Sequence, residues 1–340
     1  MPEPILRRLR ISKDTALIHG LHWLAKGAYQ TREYQWELRR NGETKLGYWR
    51  KTLRTRDARS SYPKRFVLIP GFGDSPLSWS VVMGLLYPVL KKNFDELILL
   101  DFPGFGGFLN KERSFPSMDL MIAGVHDALD SLKPHTIMGH SLGAWLAALY
   151  AGSCGEGMRP TANKKNYTGP DTVLFVSPSG IFLNQQVRDE WERIFRSAMG
   201  KGFSSLRPHV FAKEPPWFRL LIPSLNYFFT RDDIYQFMGT LREEHCANKA
   251  AAKIKSKVWL IWGECDTLIP ASCTRAWFRH LNSNNKDHQN AVWLRGAGHS
   301  PQFEKPVITA AVLSQLLAGK KPHPIGSRWW QVFRNETESQ

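Results

Sequence analysis

The residues Gly139-His140-Ser141-Leu142-Gly143 carry the clearest chemical signal in this chain. An apolar run, Thr136-Ile137-Met138, leads into them, and a small-residue helical run from Ala144 to Ala151 leads out. Strand, sharp turn and helix is the context a G-x-S-x-G pattern requires. A serine projected from so tight a turn sits in strained backbone, and its neighbours two residues away must lack bulk for strand and helix to cross closely. Its hydroxyl is inert until a base takes the proton and donors hold the oxyanion that forms. Ile69-Pro70-Gly71-Phe72-Gly73 follows another apolar run, and its glycines permit backbone N–H groups to approach the serine. The N–H of Phe72 is one candidate donor, and the N–H of Leu142, at the start of the helix, is the second. The plainer alternative is that Gly71 and Gly73 only turn a strand into a helix. Among eleven histidines, His299 lies in Gly296-Ala297-Gly298-His299-Ser300-Pro301, past the last apolar run and before the last helical pattern. That position lets a ring reach the carboxyl ends of parallel strands. Asp266 follows the preceding run and is the candidate to orient the imidazole, with Glu264 as the competing carboxylate. His140, inside the turn, reads as a packed neighbour rather than a base.

These groups meet only if buried strands bring them to one edge. Phe66–Ile69, Glu96–Leu100, Thr136–Met138, Val173–Val176, Val258–Trp262 and Val292–Leu294 are short, continuous apolar runs of the kind buried on both faces of a sheet. Helical patterns separate most of them: Ser78 to Leu90; a stretch from Ser117 with Met121, Val125, Leu129 and Leu132 on one face; and Val307 to Leu317. The alternation predicts an α/β fold, a mostly parallel central sheet flanked by helices. The interval between Val176 and Val258 far exceeds the usual connection of ~2–6 residues plus one helix. It predicts an inserted helical cap at residues 181–252, dividing a core of residues 66–180 and 253–318. Residues 1–65 read as a basic N-terminal segment with an amphipathic helical pattern through Leu17, Leu21 and Leu24. A hairpin follows, Tyr34–Leu38 and Leu46–Trp49 around Asn41-Gly42, and joins the sheet. Residues 319–340 read as a basic, aromatic tail whose pair Trp329-Trp330 has no assigned place.

The chain has 340 residues, 42% of them apolar, and a net charge of +16. Residues 1–65 hold sixteen Lys and Arg against six Asp and Glu, a net +10. This suits a solvated basic face or peripheral attraction to an anionic membrane; no nucleic-acid motif accompanies it, so no nucleic acid is expected. No window nears the roughly 18 apolar residues of a spanning helix, and no apolar stretch follows Arg7, Arg8 and Arg10 as a secretory signal requires. The expectation is a cytoplasmic protein with Cys154, Cys246, Cys265 and Cys273 as free thiols. Nothing in the pattern calls for a metal or an organic cofactor.

Gly71-Phe72-Gly73 with Trp79 downstream, Asp101-Phe102-Pro103-Gly104-Phe105-Gly106, the Ser141 turn, Asp266 and Gly298-His299 together resemble the α/β-hydrolase superfamily. The capped layout is similar to monoacylglycerol lipases and bacterial carboxylesterases. The family usually places a histidine where this chain has Pro70, so a backbone donor survives here and the side-chain contact of that histidine is lost. The resemblance implies a Ser141–His299–Asp266 triad. A serine nucleophile sets the chain apart from relatives of the same layout that use aspartate. The cap is rich in aromatics, of which Phe182, Trp217, Phe218 and Phe228 are expected to wall an acyl pocket over Ser141. The expected activity is hydrolysis of a small, lipid-like acyl ester such as a monoacylglycerol. Two alternatives remain at this point: C–C bond hydrolysis or acyl transfer on the same fold, and a non-catalytic binding protein on a hydrolase scaffold.

Overall fold

A single sheet collects every apolar run named above. The computed structural model describes residues 21, 34–37, 45–54, 62–102, 117–154, 167–182, 184–269, 271–281, 289–322 and 330–334. The N-terminal helical pattern apart from Leu21, the Asn41-Gly42 turn, Pro103-Gly104-Phe105-Gly106 and Trp329 lie outside these residues. The strands are β1 (Tyr34–Glu37), β2 (Lys45–Thr52), β3 (Arg65–Ile69), β4 (Glu96–Asp101), β5 (Thr136–His140), β6 (Thr172–Val176), β7 (Lys257–Gly263), β8 (Gln289–Leu294) and β9 (Trp330–Arg334). They pair in the order β1-β2-β4-β3-β5-β6-β7-β8-β9. Strands β3 to β8 run parallel, while β1 and β2 at one edge and β9 at the other are antiparallel.

Among the described residues the α-helices of eight residues or more are α1 (Ser80–Asn93), α2 (Met118–Leu132), α3 (Leu142–Cys154), α4 (Gln185–Lys201), α5 (Ile222–Phe229), α6 (Asp232–Gly239), α7 (Ala271–Leu281) and α8 (Pro306–Leu317). Period-two alternation splits the strands between two cores. Phe66, Leu68, Leu97, Leu99 and Met138 pack with Val82, Met83 and Leu86 of α1 and Val312 and Leu313 of α8. Val67, Ile69, Ile98, Leu100 and Ile137 face the other way, toward Met121, Val125 and Leu129 of α2 and Trp145 and Ala148 of α3. Burial on both faces is why these strands carry no polar face.

Helix α2 starts where Ser117 accepts the N–H of Leu120 on its side chain, an N-cap that satisfies one otherwise unpaired donor. Helices α4, α5 and α6 lie in the insertion between β6 and β7. Asn184 caps α4 by accepting the N–H of Val187, and the helix buries Trp191, Phe195, Ala198 and Met199. Among the described residues no helix is long and apolar enough to cross a membrane, and the four cysteines are free.

The tail departs from the sequence reading. Residues 330–334 form β9, paired with β8 from Trp330 opposite Leu294 to Arg334 opposite Asn290, with Trp330 buried on the α1/α8 side. Five residues after a basic, proline-broken stretch give too short a pattern to tell an edge strand from a loop.

Candidate active site

Serine 141 stands between the end of β5 and the start of α3 with φ 52°. That left-handed conformation costs a residue with a side chain about 1–3 kcal/mol, and the surroundings hold it there. The Ser141 N–H donates to the Val176 carbonyl at 3.0 Å, and its own carbonyl accepts the N–H groups of Ala144 and Trp145 at 3.0 and 3.1 Å. The flanking glycines are steric requirements. A Cβ on Gly139 would lie 2.5 Å from Cα of Ala144, and one on Gly143 would lie 2.1 Å from the carbonyl oxygen of Ile69. Helix α3 therefore crosses directly against the end of β3, which brings the loop after β3 to the serine.

Asp266 and His299 arrive from the ends of β7 and β8. His299 Nδ1 lies 2.9 Å from Asp266 Oδ2, with side-chain exposures of 5% and 1%. The other carboxylate oxygen accepts the N–H groups of Leu268 and Ile269, each at 3.0 Å. A carboxylate so satisfied fixes the imidazole with Nδ1 protonated, leaving Nε2 as the basic nitrogen. Glu264, the competing carboxylate, is exposed and accepts the N–H of Gly296 at 3.1 Å, so it braces the loop instead. His140 is a buried neighbour: its Nε2 lies 3.0 Å from the His299 carbonyl oxygen, which it meets as a donor, and its ring centre is 5.2 Å from that of His299.

The loop Gly71-Phe72-Gly73 lies against the serine. A Cβ on Gly71 would sit 3.3 Å from Cβ of Ser141, and Gly73 has φ 68°. The Asp74 N–H donates to the Gly71 carbonyl at 3.2 Å and closes the turn around Phe72. The Phe72 ring is clasped by Phe195, Phe228, Phe229 and Phe237 of the cap, at centroid distances from 5.7 to 6.1 Å. Leu142 opens α3, where first-turn N–H groups have no partner within the helix. The geometry thus places both candidate donor residues next to the serine.

Ser141 and His299 line one cavity of about 520 Å³, walled by Phe72, Leu206, Phe211, Leu225, Phe229 and Leu268. Of the four aromatics expected at the pocket wall, Trp217 and Phe218 line it. Phe182 does not: it lines a second, more polar cavity and packs on Trp145 and Trp191. Phe228 does not line it either; it is fully buried behind Phe72 and Phe229 in the cap's own core. Aromatic content alone cannot separate a wall from a core, because both bury the same apolar area. Leu21, from the basic N-terminal segment, lines the cavity too, a contact the sequence reading did not anticipate.

Sequence reasoning also missed Glu304. Its Oε1 accepts the N–H of Gly298 at 2.8 Å, and its Oε2 accepts those of Ala212 and Lys213 at 2.9 and 3.0 Å. Burial pushes its carboxyl above the usual range, and the three backbone donors oppose that shift. An acidic residue in the first turn after the His299 loop is the signal that could have drawn attention to it.

A parallel sheet with a serine on a glycine-flanked turn after β5, and an aspartate-histidine pair from the ends of β7 and β8, defines a hydrolase-type scaffold. The profile of the alpha/beta hydrolase family matches residues 66–312, and the chain belongs to that family. No curated protein matches the sequence. Among solved structures, it is similar to a membrane phospholipase A described as a bacterial virulence factor, with 19% identity, 90% of this chain and 92% of that one covered, and a TM-score of 0.65. It is similar also to carboxylesterase CesB of Bacillus subtilis, at 13% identity over 91% of this chain and 99% of that one, with a TM-score of 0.60. A thermophilic esterase of Thermogutta terrifontis aligns at 16% identity, 85% and 98% coverage and a TM-score of 0.59. At these identities the likeness is one of fold.

Proposed function

We propose that this protein is a serine hydrolase that cleaves the acyl ester of a lipid-like substrate, such as a monoacylglycerol. The observation that carries the reading is that His299, bonded to the buried Asp266, lines one apolar cavity with the strained Ser141. In the proposed reaction His299 Nε2 takes the hydroxyl proton as Ser141 Oγ attacks the ester carbonyl carbon. The N–H groups of Phe72 and Leu142 hold the oxyanion; losing one such donor costs on the order of 3 kcal/mol in the transition state. The tetrahedral intermediate expels the alcohol, which receives the proton from His299. Water, deprotonated by the same ring, then attacks the acyl-enzyme and releases the acid. Asp266 stabilises the imidazolium in both halves. Neither half calls for a metal or cofactor.

The apolar cavity wall supports an acyl chain as the group bound there. The net +10 of residues 1–65 supports a loose attraction to anionic lipid surfaces, where such esters reside. The test is a series of p-nitrophenyl esters from acetyl to dodecanoyl, given to wild type and to Ser141→Ala. Wild-type turnover that rises with chain length and is lost in the variant is expected. Equal rates in the two proteins would remove Ser141 from the reaction. Fluorophosphonate labelling of Ser141 without ester turnover would point to C–C hydrolysis or acyl transfer instead, and failure of both would leave a binding protein. Co-sedimentation with anionic vesicles at low salt, reversed at high salt, checks the surface attraction.

A further inference from the structure

The cap and the histidine loop are sewn together at one place, and Glu304 is the stitch. Its two carboxylate oxygens hold three backbone N–H groups, one beside His299 and two in the cap segment at residues 210–213. A fourth bond runs alongside, from the His299 N–H to the Val210 carbonyl at 2.9 Å. The approach is close enough that a Cβ on Gly298 would lie 2.6 Å from the Ala212 nitrogen and 2.8 Å from the Val210 carbonyl oxygen. On the cavity side, Val210 and Phe211 are lining residues, as is His299. The neighbouring Phe303 packs on Trp217 and Phe218, with ring centres 5.7 and 5.2 Å away. Whatever occupies the cavity therefore presses on a segment bonded to the backbone that carries the base.

Resting on the proposed ester hydrolysis, we infer that Glu304 is a positioning residue that couples the seating of the cap on a bound acyl chain to the alignment of His299. Remote binding energy then appears in kcat rather than only in KM, because a chain that packs the cap down also holds the imidazole at Ser141. A carboxylate is suited to this task, since it alone among side chains offers two acceptor oxygens and no donor to clash with three N–H groups.

The experiment measures kcat and KM separately for acetyl, butanoyl and octanoyl p-nitrophenyl esters, normalised to active sites by fluorophosphonate titration. Wild type, Glu304→Gln, Glu304→Ala and Gly298→Ala are compared. Wild-type kcat should rise with acyl length. In Glu304→Ala that rise should vanish, a loss of about 10-fold or more at octanoyl, while KM still falls with length. Glu304→Gln, which keeps one acceptor oxygen and so guards against simple unfolding, should lie between. Gly298→Ala wedges the same two segments apart and should flatten kcat in the same way. A purely structural role would lower every ester by one factor and leave the slope of kcat with length intact; that result, or a wild-type kcat flat in length, overturns the coupling alone. No labelling and no turnover in wild type would overturn the hydrolase reading and the coupling with it.

Discussion

The two ends of the sheet use the same side-chain chemistry to opposite purposes. At the amino end of β3 and β4, Asp95 accepts the Lys64 N–H at 2.7 Å and the Arg54 Nε–H at 2.6 Å. Glu96 beside it accepts from Arg65 at 2.6 Å and pairs with Arg50 of β2. Burial alone would push the Asp95 carboxyl up, but the Lys64 N–H and Arg54 guanidinium hold it below the usual range. At the carboxyl end of β7 and β8, Asp266 is just as fully bonded, yet its partner is an imidazole that faces a cavity and a serine. Arginine stays charged at any working pH, so the first arrangement only holds the structure. Histidine gives and takes a proton near neutrality, so the second can turn over. In the proposed reaction, what separates scaffold from machinery is the partner of the carboxylate, not the carboxylate.

Changes at the two ends should therefore separate activity from stability. The largest effect is expected from Ser141→Ala and Asp266→Asn. Ser141→Ala should reduce ester turnover by about 10⁶-fold and Asp266→Asn by about 10⁴-fold, with melting temperature held near wild type; a large thermal shift in Ser141→Ala would blur the comparison. Gly143→Ala should break it, since its Cβ would meet the Ile69 carbonyl oxygen at 2.1 Å. Overpacking of that kind costs about 1–3 kcal/mol, and both denaturation midpoint and turnover should fall together. Trp217→Ala, half exposed at the cavity wall, should raise KM for octanoyl esters by about 10-fold, the scale of one apolar contact in a pocket, and leave acetyl esters unchanged. The smallest effect belongs to Asp95→Asn: about 1 kcal/mol of stability at neutral pH, with kcat/KM unaltered. Because the folded Asp95 carboxyl lies below its unfolded value of about 3.9, its contribution is present above that pH and is lost as pH falls through the folded value. Urea titrations from neutrality down to acid should show the wild type and the variant converging.

How legible these ends were differs as well. The Ser141 turn, the Phe72 loop and the positions of Asp266 and His299 could be read because backbone sterics leave glycines behind as marks, and because each lies just past a buried apolar run. The parallel direction of the central strands followed from the same runs alternating with helical patterns. The amino-end network was not read: Glu96 was seen only as the first residue of an apolar stretch, and its arginines come from two other strands. Which cap aromatics wall the cavity could not be read either, since Phe182 and Phe218 differ in the cavity they face and not in type. Glu304 escaped for a related reason. Its partners are backbone N–H groups, which every residue has and no sequence displays.

The strand at residues 330–334 has a practical corollary. It occupies the outer row of hydrogen-bonding groups on β8, as β1 does on β2 at the opposite margin. A chain clipped before Trp330 would carry a raw selvage along Asn290 to Leu294, ready to recruit a like strand from another molecule. Sedimentation of the trimmed protein should reveal higher-order species that the intact chain does not form.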